Sequence, residues 1–531
     1  MTVAGYTKIG IIGAGSMGSE MAQLFAEAGL KVALFDIKND NVAKAVEYTN
    51  ANSKIAGMVE GFTDTEKLMV HMPSPGHRLF VFSLPHGDPA DIVLDKLRPH
   101  LAKGDIVLDG GNEWYENTER RMSQLKHEQR VDWVGMGVSG GYQSARRGPS
   151  LSPGGDEDAI KRVMPLLEKV AAKDKEGNPC VARVGPGGSG HYVKMVHNGI
   201  EQGMMGAMAE AWGLLRFNAG LELDEIGAIF KGWNDEGNLR NTFLVDIAAD
   251  ICTKRDASVT YNDASDNADH ILSVVLDKVV QDADDTEGTG TWSVAEAARV
   301  HIAAPSMACS HFLRLASADR AARLRISETL QPPAPPASVR TTMHGEEKAR
   351  FVEDVRLAMH AACIASYVQG LQLVARRSEK EEWGVKLGTC VKIWRAGCII
   401  ASEGLGDVVE EVARAYDECM DAGEGQGKEA TSPSLSSVIP AHPTLSRALT
   451  ADLPALRRTV LWALERDACV PTLGASLEWV KYVGARILPT MFMEAQLDWF
   501  GAHRFERWDG EAAENGGVVK KGSEHYEWRA A

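Results

Sequence analysis

A glycine-rich turn between two short apolar runs places the strongest constraint on how the start of this chain folds. Residues 8–12 read Lys-Ile-Gly-Ile-Ile and lead directly into the turn Gly13-Ala-Gly-Ser-Met-Gly18. We predict an amphipathic helix from about residue 19 to residue 28, and a second strand over residues 31–35 that ends at Asp36. The order strand, glycine turn, helix, strand and acid predicts a Rossmann-like unit with a parallel sheet.

The same turn is typical of a dinucleotide site. Glycines allow a tight turn and let a pyrophosphate approach the N-terminus of the following helix. Asp36 is placed to accept hydrogen bonds from an adenosine ribose. A glycine turn alone is weak evidence, but here both strands, the helix and the acid are also in place. The predicted contacts of the pyrophosphate are Gly13, Gly15, Ser16, Met17 and Gly18.

Further polar loops follow the predicted strands of this sheet. Strands over residues 79–84 and 105–108 end in Pro85-His-Gly87 and Asp109-Gly-Gly-Asn112. Ligands of open α/β sheets bind at such strand ends. Downstream, the backbone of Ser139-Gly-Gly141 could offer N–H groups to a carboxylate. Each loop taken alone is more often ordinary turn chemistry.

One predicted helix carries four polar side chains on a single face. Lys194, His197, Asn198 and Glu201 stand at i, i+3, i+4 and i+7. A lysine and a glutamate on a buried helix are costly unless they are paired or used. The simpler interpretation is an ion pair on a half-exposed helix; the alternative is an acid–base site.

Composition narrows the class of protein and its partners. The 531 residues are 44% hydrophobic and 24% charged, as in a globular protein of two or three domains. The net charge of −16 argues against nucleic acid or an anionic membrane as a partner. We find no apolar run as long as a membrane span and no signal-peptide pattern. Eight scattered cysteines favour free thiols in a reducing, cytoplasmic environment.

The chain beyond residue 185 is predicted to be helical, which gives the fold class α/β plus all-α. We divide it into a Rossmann-like domain over residues 1–185, a helical catalytic and dimerisation domain over 186–505, and a tail over 506–531. A glycine-rich break at 185–190 separates the first two.

An internal duplication within the helical domain is also predicted. The motif Lys231-Gly-Trp233 recurs as Lys392-Ile-Trp394, so the halves would span about 186–330 and 338–505. The proline-rich segment 331–337 would separate them. Residues 421–440, rich in Gly, Ser and Glu, are interpreted as a surface insertion.

With these residues placed, the chain resembles the 6-phosphogluconate dehydrogenase family, the decarboxylating enzymes of the pentose phosphate pathway. The first group of matching motifs is Asp109-Gly-Gly-Asn112, Gly137-Val-Ser-Gly-Gly141, Gly148-Pro-Ser-Leu151 and Val193-Lys-Met-Val-His-Asn-Gly-Ile-Glu201. The second is Gly288-Thr-Gly290 with Trp292, Trp394-Arg-Ala-Gly-Cys-Ile-Ile400 and Phe500-Gly-Ala-His503. They occur in the family's order over about residues 8–505.

The resemblance implies a mechanism and a dimer. Lys194 would take the proton from the substrate 3-hydroxyl as hydride leaves C3 for nicotinamide, and Glu201 would protonate C1 of the enediol after loss of carbon dioxide, with no metal required. Burial and neighbouring cations would lower the pKa of Lys194. In the family, the C-terminal segment of one subunit enters the other's site, so His503 would act in trans. The implied substrate contacts are Asn112 (also a cofactor contact), Ser139, Gly140, Gly141, His197, Asn198, Gln202, Arg314 and His503.

The chain departs from the family where the cofactor's 2′-phosphate would bind. The family typically has Asn-Arg-Thr there, and this chain has Asp36-Ile-Lys38. An aspartate repels a 2′-phosphate and favours a free ribose diol, so NAD is the predicted cofactor. Lys38 keeps NADP possible.

A second departure concerns the phosphate of the substrate. The family binds it with a tyrosine, a lysine and two arginines, and the matched positions here are Gln202, Glu287, Arg314 and Leu497. The substrate could therefore be 6-phosphogluconate bound differently, or an unphosphorylated or different aldonate. Substitute cations could come from Lys520 and Lys521 in the tail. A catalytically silent, nucleotide-binding paralogue is the alternative from another class of function.

Overall fold

The computed structural model describes residues 4–258, 269–282, 288–330, 343–423, 435–508, 522 and 524–529. Its N-terminal part is a seven-stranded sheet in the order β3-β2-β1-β4-β5-β6-β7, parallel except for β7, which pairs antiparallel with β6. The strands are β1 (Lys8–Ile12), β2 (Lys31–Phe35), β3 (Val59–Phe62), β4 (Leu79–Phe82), β5 (Ile106–Asp109), β6 (Asp132–Ser139) and β7 (Ser150–Gly154). The helices are α1 (Ser16–Glu27), α2 (Asn39–Asn50), α3 (Thr65–His71), α4 (Asp88–Leu97), α5 (Tyr115–Gln129), α6 (Gly141–Arg147) and α7 (Glu157–Val170).

Both faces of this sheet are buried, because successive strand residues point to opposite sides. In β1, Ile9 and Ile11 belong to one apolar cluster and Ile12 to the other. In β4, Val81 and Phe82 are divided in the same way. This burial explains why the strands read as continuous apolar runs, as parallel strands covered on two sides do.

The second part of the described chain is helical. Its helices are α8 (Ser189–Gly213), α9 (Leu223–Asp235), α10 (Phe243–Thr253), α11 (Thr289–Arg299), α12 (Pro305–Ala318), α13 (Arg320–Leu330), α14 (Gly345–Lys380), α15 (Leu387–Ile393), α16 (Glu403–Asp421), α17 (Pro443–Leu464), α18 (Pro471–Val483) and α19 (Thr490–Gly501). The predicted fold class, a Rossmann-like sheet followed by a large helical domain, is confirmed.

Helix α8 lies at the centre of the molecule because its glycines let other elements approach closely. A Cβ on Gly190 would collide with the backbone of β6 and β7, and one on Gly203 would collide with Ser366 of α14. At Gly206 the collision would be with Ser310 and Thr472. The sheet, α12, α14 and α18 therefore all pack against one helix, which joins the two parts of the protein.

Helix α14 corrects one sequence-based expectation. It contains an 18-residue window with a mean hydropathy of 1.3, long and apolar enough to cross a membrane, although we expected no such run. The window is 89% buried inside the protein. Its apolar residues pack against α8 and α17, as those of an internal core helix do.

The two halves of the helical part meet through equivalent residues. Thr242 is the N-cap of α10 and Ser402 is the N-cap of α16, and their hydroxyl oxygens are 2.7 Å apart. The backbone N–H of Phe243 donates to the carbonyl of Ala401 at 2.9 Å. This near-symmetric contact supports the predicted duplication, which stays a prediction.

Two details differ from the sequence-based expectations, and some expectations concern residues that the structure does not describe. Helix α1 begins at Ser16, three residues earlier than predicted, because the last part of the glycine turn is its first turn. Residues 435–441, interpreted as part of a surface insertion, form a short 3₁₀ helix that buries Ile439. The predictions that concern Glu287, the segment 331–337, Lys520 and Lys521 fall outside the described residues.

Candidate active site

A cleft of about 810 Å³ lies between the carboxyl ends of the strands and helix α8. Nine of the predicted site residues line it: Gly15, Ser16, Met17, Asn112, Gly140, Gly141, Lys194, Asn198 and Glu201. They come from the turn before α1, the first residues of α1, the loop after β5, the junction of β6 and α6, and α8. The structure therefore brings the predicted dinucleotide turn and the predicted acid–base helix into one cavity.

The glycines of the turn have different roles. Gly13 has φ +108°, in the left-handed region, and a Cβ on Gly18 would collide with the carbonyl of Gly13. Both glycines are needed by the protein's own backbone. A Cβ on Gly15 would meet no atom within 4 Å. The space beside Gly15, at the N-terminus of α1, fits the close approach of a pyrophosphate.

Asp36 lies beside the same turn at the end of β2. Its carboxylate accepts hydrogen bonds from the backbone N–H groups of Ala14 and Lys38, each at 2.8 Å, and from the side chain of Asn41 at 3.3 Å. The side chain of Lys38 is exposed to solvent. At the end of β2, an acid rather than a cation therefore lies closest to the glycine turn.

Lys194 is buried where α8 passes the end of β6. Its ammonium donates to Ser139 Oγ at 3.2 Å, and a Cβ on Gly137 would collide with its side chain. Burial lowers the pKa of Lys194 below its ordinary value of 10.5, and Glu201 and Cys398 oppose that change. Among the described residues, burial rather than a neighbouring cation is therefore the cause that lowers this pKa.

The other polar residues of α8 form a short hydrogen-bonded chain. His197 Nδ1 is 3.1 Å from Asn198 Oδ1 and 3.8 Å from Glu201. The amide of Asn198 donates to Thr289 Oγ1 at 3.0 Å. Burial, and then Lys194, hold the pKa of His197 well below its ordinary value, so its ring is neutral. With Nδ1–H donating to an oxygen, the buried Nε2 carries a lone pair that has no hydrogen-bond partner within the described residues.

The loop after β6 adopts a conformation that requires glycine. Gly140 and Gly141 have φ values of +105° and +67°. A Cβ on Gly140 would collide with Ser144 and with the carbonyl of Gly397, whereas one on Gly141 would point into open space. The loop thus leaves room for a ligand beside Lys194.

Four residues that the sequence matched to the substrate or its phosphate are not among those that line this cleft: Gln202, Arg314, Leu497 and His503. Gln202 is buried on α8, where its backbone carbonyl accepts from the Ser310 hydroxyl of α12 at 2.6 Å, and its side-chain Oε1 has no hydrogen-bond partner among the described residues. Arg314 is half-buried farther along α12. Leu497 lies on α19, and His503 is exposed just beyond the end of that helix. In a single chain, α19 does not reach the cleft lining.

Sequence reasoning did not assign His86, Ile399 or Cys398 to the site. His86 lines the cleft and packs edge-on against Trp292 of α11, with ring centroids 5.0 Å apart. Ile399 also lines the cleft, and the thiol of Cys398 is close enough to Lys194 to interact with its charge. The motif that contains Trp394 and Ile400 includes both residues, and it was the available signal. Among the described residues, no group of three or more His, Cys, Asp or Glu could hold a metal ion.

Comparison with known proteins identifies the family. The model of the NAD binding domain of 6-phosphogluconate dehydrogenase matches residues 8–185, and that of the C-terminal domain of 6-phosphogluconate dehydrogenase matches residues 190–528. A decarboxylating 6-phosphogluconate dehydrogenase of Emericella nidulans is 45% identical over 97% of this chain and 100% of its own length. One from Spinacia oleracea is 35% identical over 95% of this chain and 96% of its own length.

A solved structure agrees with these relatives. The Plasmodium falciparum 6-phosphogluconate dehydrogenase, described in its apo form and in complexes with NADP+ and with 6-phosphogluconate, has a TM-score of 0.79 and is 30% identical. The match covers 98% of this chain and 100% of that one. The chain belongs to the 6-phosphogluconate dehydrogenase family of NAD(P)-dependent, decarboxylating oxidoreductases.

Proposed function

We propose that this protein oxidatively decarboxylates 6-phosphogluconate, or a closely related 3-hydroxy aldonate, to a ketose with one carbon fewer. One observation carries the proposal: Lys194 and Glu201 line the same cleft as the unfilled space beside Gly15. An acid–base pair and a dinucleotide turn in one cavity are what a hydride transfer coupled to proton transfers requires.

The residues of α8 and its neighbouring loops would carry the proton transfers. Neutral Lys194 takes the proton of the 3-hydroxyl as the C3 hydride departs, and the nicotinamide, when bound, accepts that hydride. The resulting ammonium of Lys194 polarises the new carbonyl, so the electrons of the broken C1–C2 bond flow toward it and carbon dioxide leaves. Lys194 gives its proton to the carbonyl oxygen as the enediol forms, and Glu201 then donates a proton to the terminal carbon while Lys194 takes back the hydroxyl proton. Asn112, Gly140, Gly141 and the lone pair of His197 would hold the carboxylate and hydroxyls.

Reduction of nicotinamide, measured by absorbance with a panel of aldonates, tests this function. We expect turnover with at least one 3-hydroxy aldonate and release of carbon dioxide in equal amount. A protein that binds nucleotide but reduces neither NAD nor NADP with any aldonate would instead be the silent paralogue.

For the cofactor, we propose a preference for NAD. Asp36 is oriented by Ala14, Lys38 and Asn41, and its charge opposes a 2′-phosphate. Wild-type protein should therefore have the higher kcat/KM with NAD. The double variant Asp36→Asn, Ile37→Arg should shift the preference toward NADP. A wild type that strongly prefers NADP, as its Plasmodium relative's complex would suggest, would show that Lys38 dominates this pocket.

An unphosphorylated aldonate is the second candidate substrate. The observation that favours it is the uncharged amide of Gln202 at the position where the family resemblance has a phosphate-binding tyrosine, because an amide oxygen can accept from a hydroxyl but repels a phosphate. Leu497 also offers no charge. Comparison of kcat/KM for 6-phosphogluconate and for aldonates of similar length decides between them. The double variant Lys520→Ala, Lys521→Ala exposes any contribution of these two lysines and keeps the tail contacts to α19, and a low KM for 6-phosphogluconate that survives it would exclude the second candidate.

We also propose a cytoplasmic homodimer whose partner completes the site. Helix α19 presents Phe492, Met493 and Phe500 with 70%, 61% and 66% of their surfaces exposed. Single exposed apolar residues are ordinary, but a row of large ones along one helix is typical of an interface. His503 follows that helix directly, so a partner that covers α19 would receive His503 near its own cleft.

A further inference from the structure

A buried arginine outside the cleft connects two of the loops that form it. Arg121 lies on α5, and its side chain is 0% exposed. It contacts three carboxylates: Asp91 in the first turn of α4, Asp109 at the end of β5, and Glu113 in the following loop. These four residues are called the Arg121 cluster below.

Each arm of the guanidinium has a defined partner. Nε and Nη2 donate to the two oxygens of Asp91, each at 2.9 Å, which is a bidentate pair. Nη1 donates to Glu113 Oε2 at 2.6 Å and lies 3.6 Å from Asp109 Oδ2. A lysine could supply the charge but not this planar fork, because its ammonium is a single point of contact.

The cluster holds both backbone polar groups of Gly87. Arg121 Nη2 donates to the Gly87 carbonyl at 3.0 Å, and the Gly87 N–H donates to Glu113 Oε2 at 3.0 Å. Gly87 has φ +77°, in the left-handed region, and it immediately follows His86. The Arg121–Glu113 pair therefore fixes the end of the loop after β4.

Two carboxylates of the Arg121 cluster also hold the loop after β5. Glu113 Oε1 accepts from the N–H of Trp114 at 2.8 Å, and Asp109 Oδ1 accepts from the N–H of Gly111 at 3.2 Å. These contacts surround Asn112, which lines the cleft. We propose that Arg121 is a positioning residue that sets the spacing between His86 and Asn112 on the floor of the cleft, and so controls how the sugar acid is placed.

The neighbouring Arg120 provides a matched control. It also pairs with Asp91, at 2.7 Å, but its side chain is 42% exposed and it donates to neither Gly87 nor Glu113. Exposed ion pairs contribute little, because water and salt screen them. Arg120→Lys therefore replaces a guanidinium that also pairs with Asp91 on the same helix, and it leaves the hydrogen bonds that hold the two loops in place.

The test, which assumes the proposed function for its turnover readout, compares Arg121→Lys, Glu113→Gln and Arg120→Lys in the full-length protein. We expect Arg121→Lys to lower kcat/KM for the aldonate about a hundredfold, since a displacement of about 1 Å has that effect. Glu113→Gln should give a smaller loss in the same direction, and Arg120→Lys should leave kcat/KM close to wild type. The affinity for ADP-ribose, which probes the turn at Gly15 and Asp36, should stay close to wild type in all three.

Two results would overturn the inference. One is a lower melting temperature for Arg121→Lys and Glu113→Gln with wild-type KM and wild-type kcat per folded protein, which would make the cluster merely structural. The other is an equal loss in Arg120→Lys. If wild-type protein shows no turnover, the proposed function fails separately. The dissociation constant of 6-phosphogluconate then tests the positioning role. That role requires weaker binding of 6-phosphogluconate by Arg121→Lys and wild-type binding by Arg120→Lys.

Discussion

The cleft along α8 and the helix α19 both carry residues that the family resemblance assigns to one site. They differ in how far contacts within the chain surround those residues. On α8, Lys194 and His197 are buried and hydrogen-bonded within one chain. On α19, large apolar residues face solvent, and His503 lies outside the cleft lining. The cleft is organised by packing within the chain, whereas the large apolar side chains of α19 are exposed.

Under the proposed dimer, this difference separates what one chain can do alone from what a second copy would supply. Asp498, which is fully buried, accepts from the backbone N–H of Tyr526 at 3.1 Å and from the indole of Trp528 at 2.9 Å. The tail thus returns to α19 and holds it in a defined shape. An exposed but well-ordered apolar helix is suited to docking, because little ordering entropy remains to be lost on association.

The largest effect on activity should come from substitutions of the polar residues of α8. Lys194→Ala and Glu201→Ala should each lower turnover by roughly a hundred- to ten-thousandfold, because each removes a general base or acid. Steady-state kinetics on the best aldonate measures the loss, and nucleotide affinity and circular dichroism serve as controls. Near-normal turnover in either variant would disprove the assigned roles.

The next largest effect on activity should come from mixing two variants, which tests whether His503 after α19 acts in a partner's cleft. Lys194→Ala and His503→Ala proteins should each be weakly active alone. If they are unfolded and refolded together, hybrid dimers should regain about a quarter of the wild-type sites, since half of the dimers are hybrids with one intact site each. Activity is compared before and after mixing. No recovery in verified hybrids would place His503 in its own chain's site or outside any site.

A stability measurement sharpens the contrast between the two surfaces. Ile200→Ala in the core of α8 should cost about 2–5 kcal/mol at any protein concentration. For the wild type, melting temperature should rise with protein concentration, because dimerisation stabilises the folded state by mass action. Phe500→Glu should abolish that dependence while leaving the cleft folded. Concentration-independent melting of the wild type would mean that α19 has no self-partner.

The smallest effect concerns pH. Because burial lowers the pKa of Lys194 below 10.5, its neutral, basic form is present at lower pH than for a free lysine. We expect kcat/KM to rise with pH along a limb whose pKa lies below 10.5 and to level off above it. Profiles at several ionic strengths measure this limb. A limb at the ordinary lysine value would show that Lys194 is solvated in the working enzyme.

Much of the site could be predicted because its signals are local. The helical period places Lys194, His197, Asn198 and Glu201 on one face whatever the rest of the chain does. The glycine turn is similarly local, since Gly13 and Gly18 are required by the short turn between β1 and α1. The long motifs carried the family assignment, which the comparisons confirm.

Other features depend on contacts between residues far apart in the sequence, and no local pattern reports them. His86 meets Trp292 only because the sheet and α11 face each other, and Arg121 reaches Asp91 across thirty residues.

The sequence by itself determined the Rossmann-like unit, the helical remainder and the four polar residues of α8, because periodicity and turn sterics act over a few residues. Only the tertiary structure decided that Lys194 is buried, that burial rather than neighbouring cations lowers its pKa, and that α19 is exposed. Burial is a property of the whole packed chain, since it depends on which distant surfaces exclude water from each side chain.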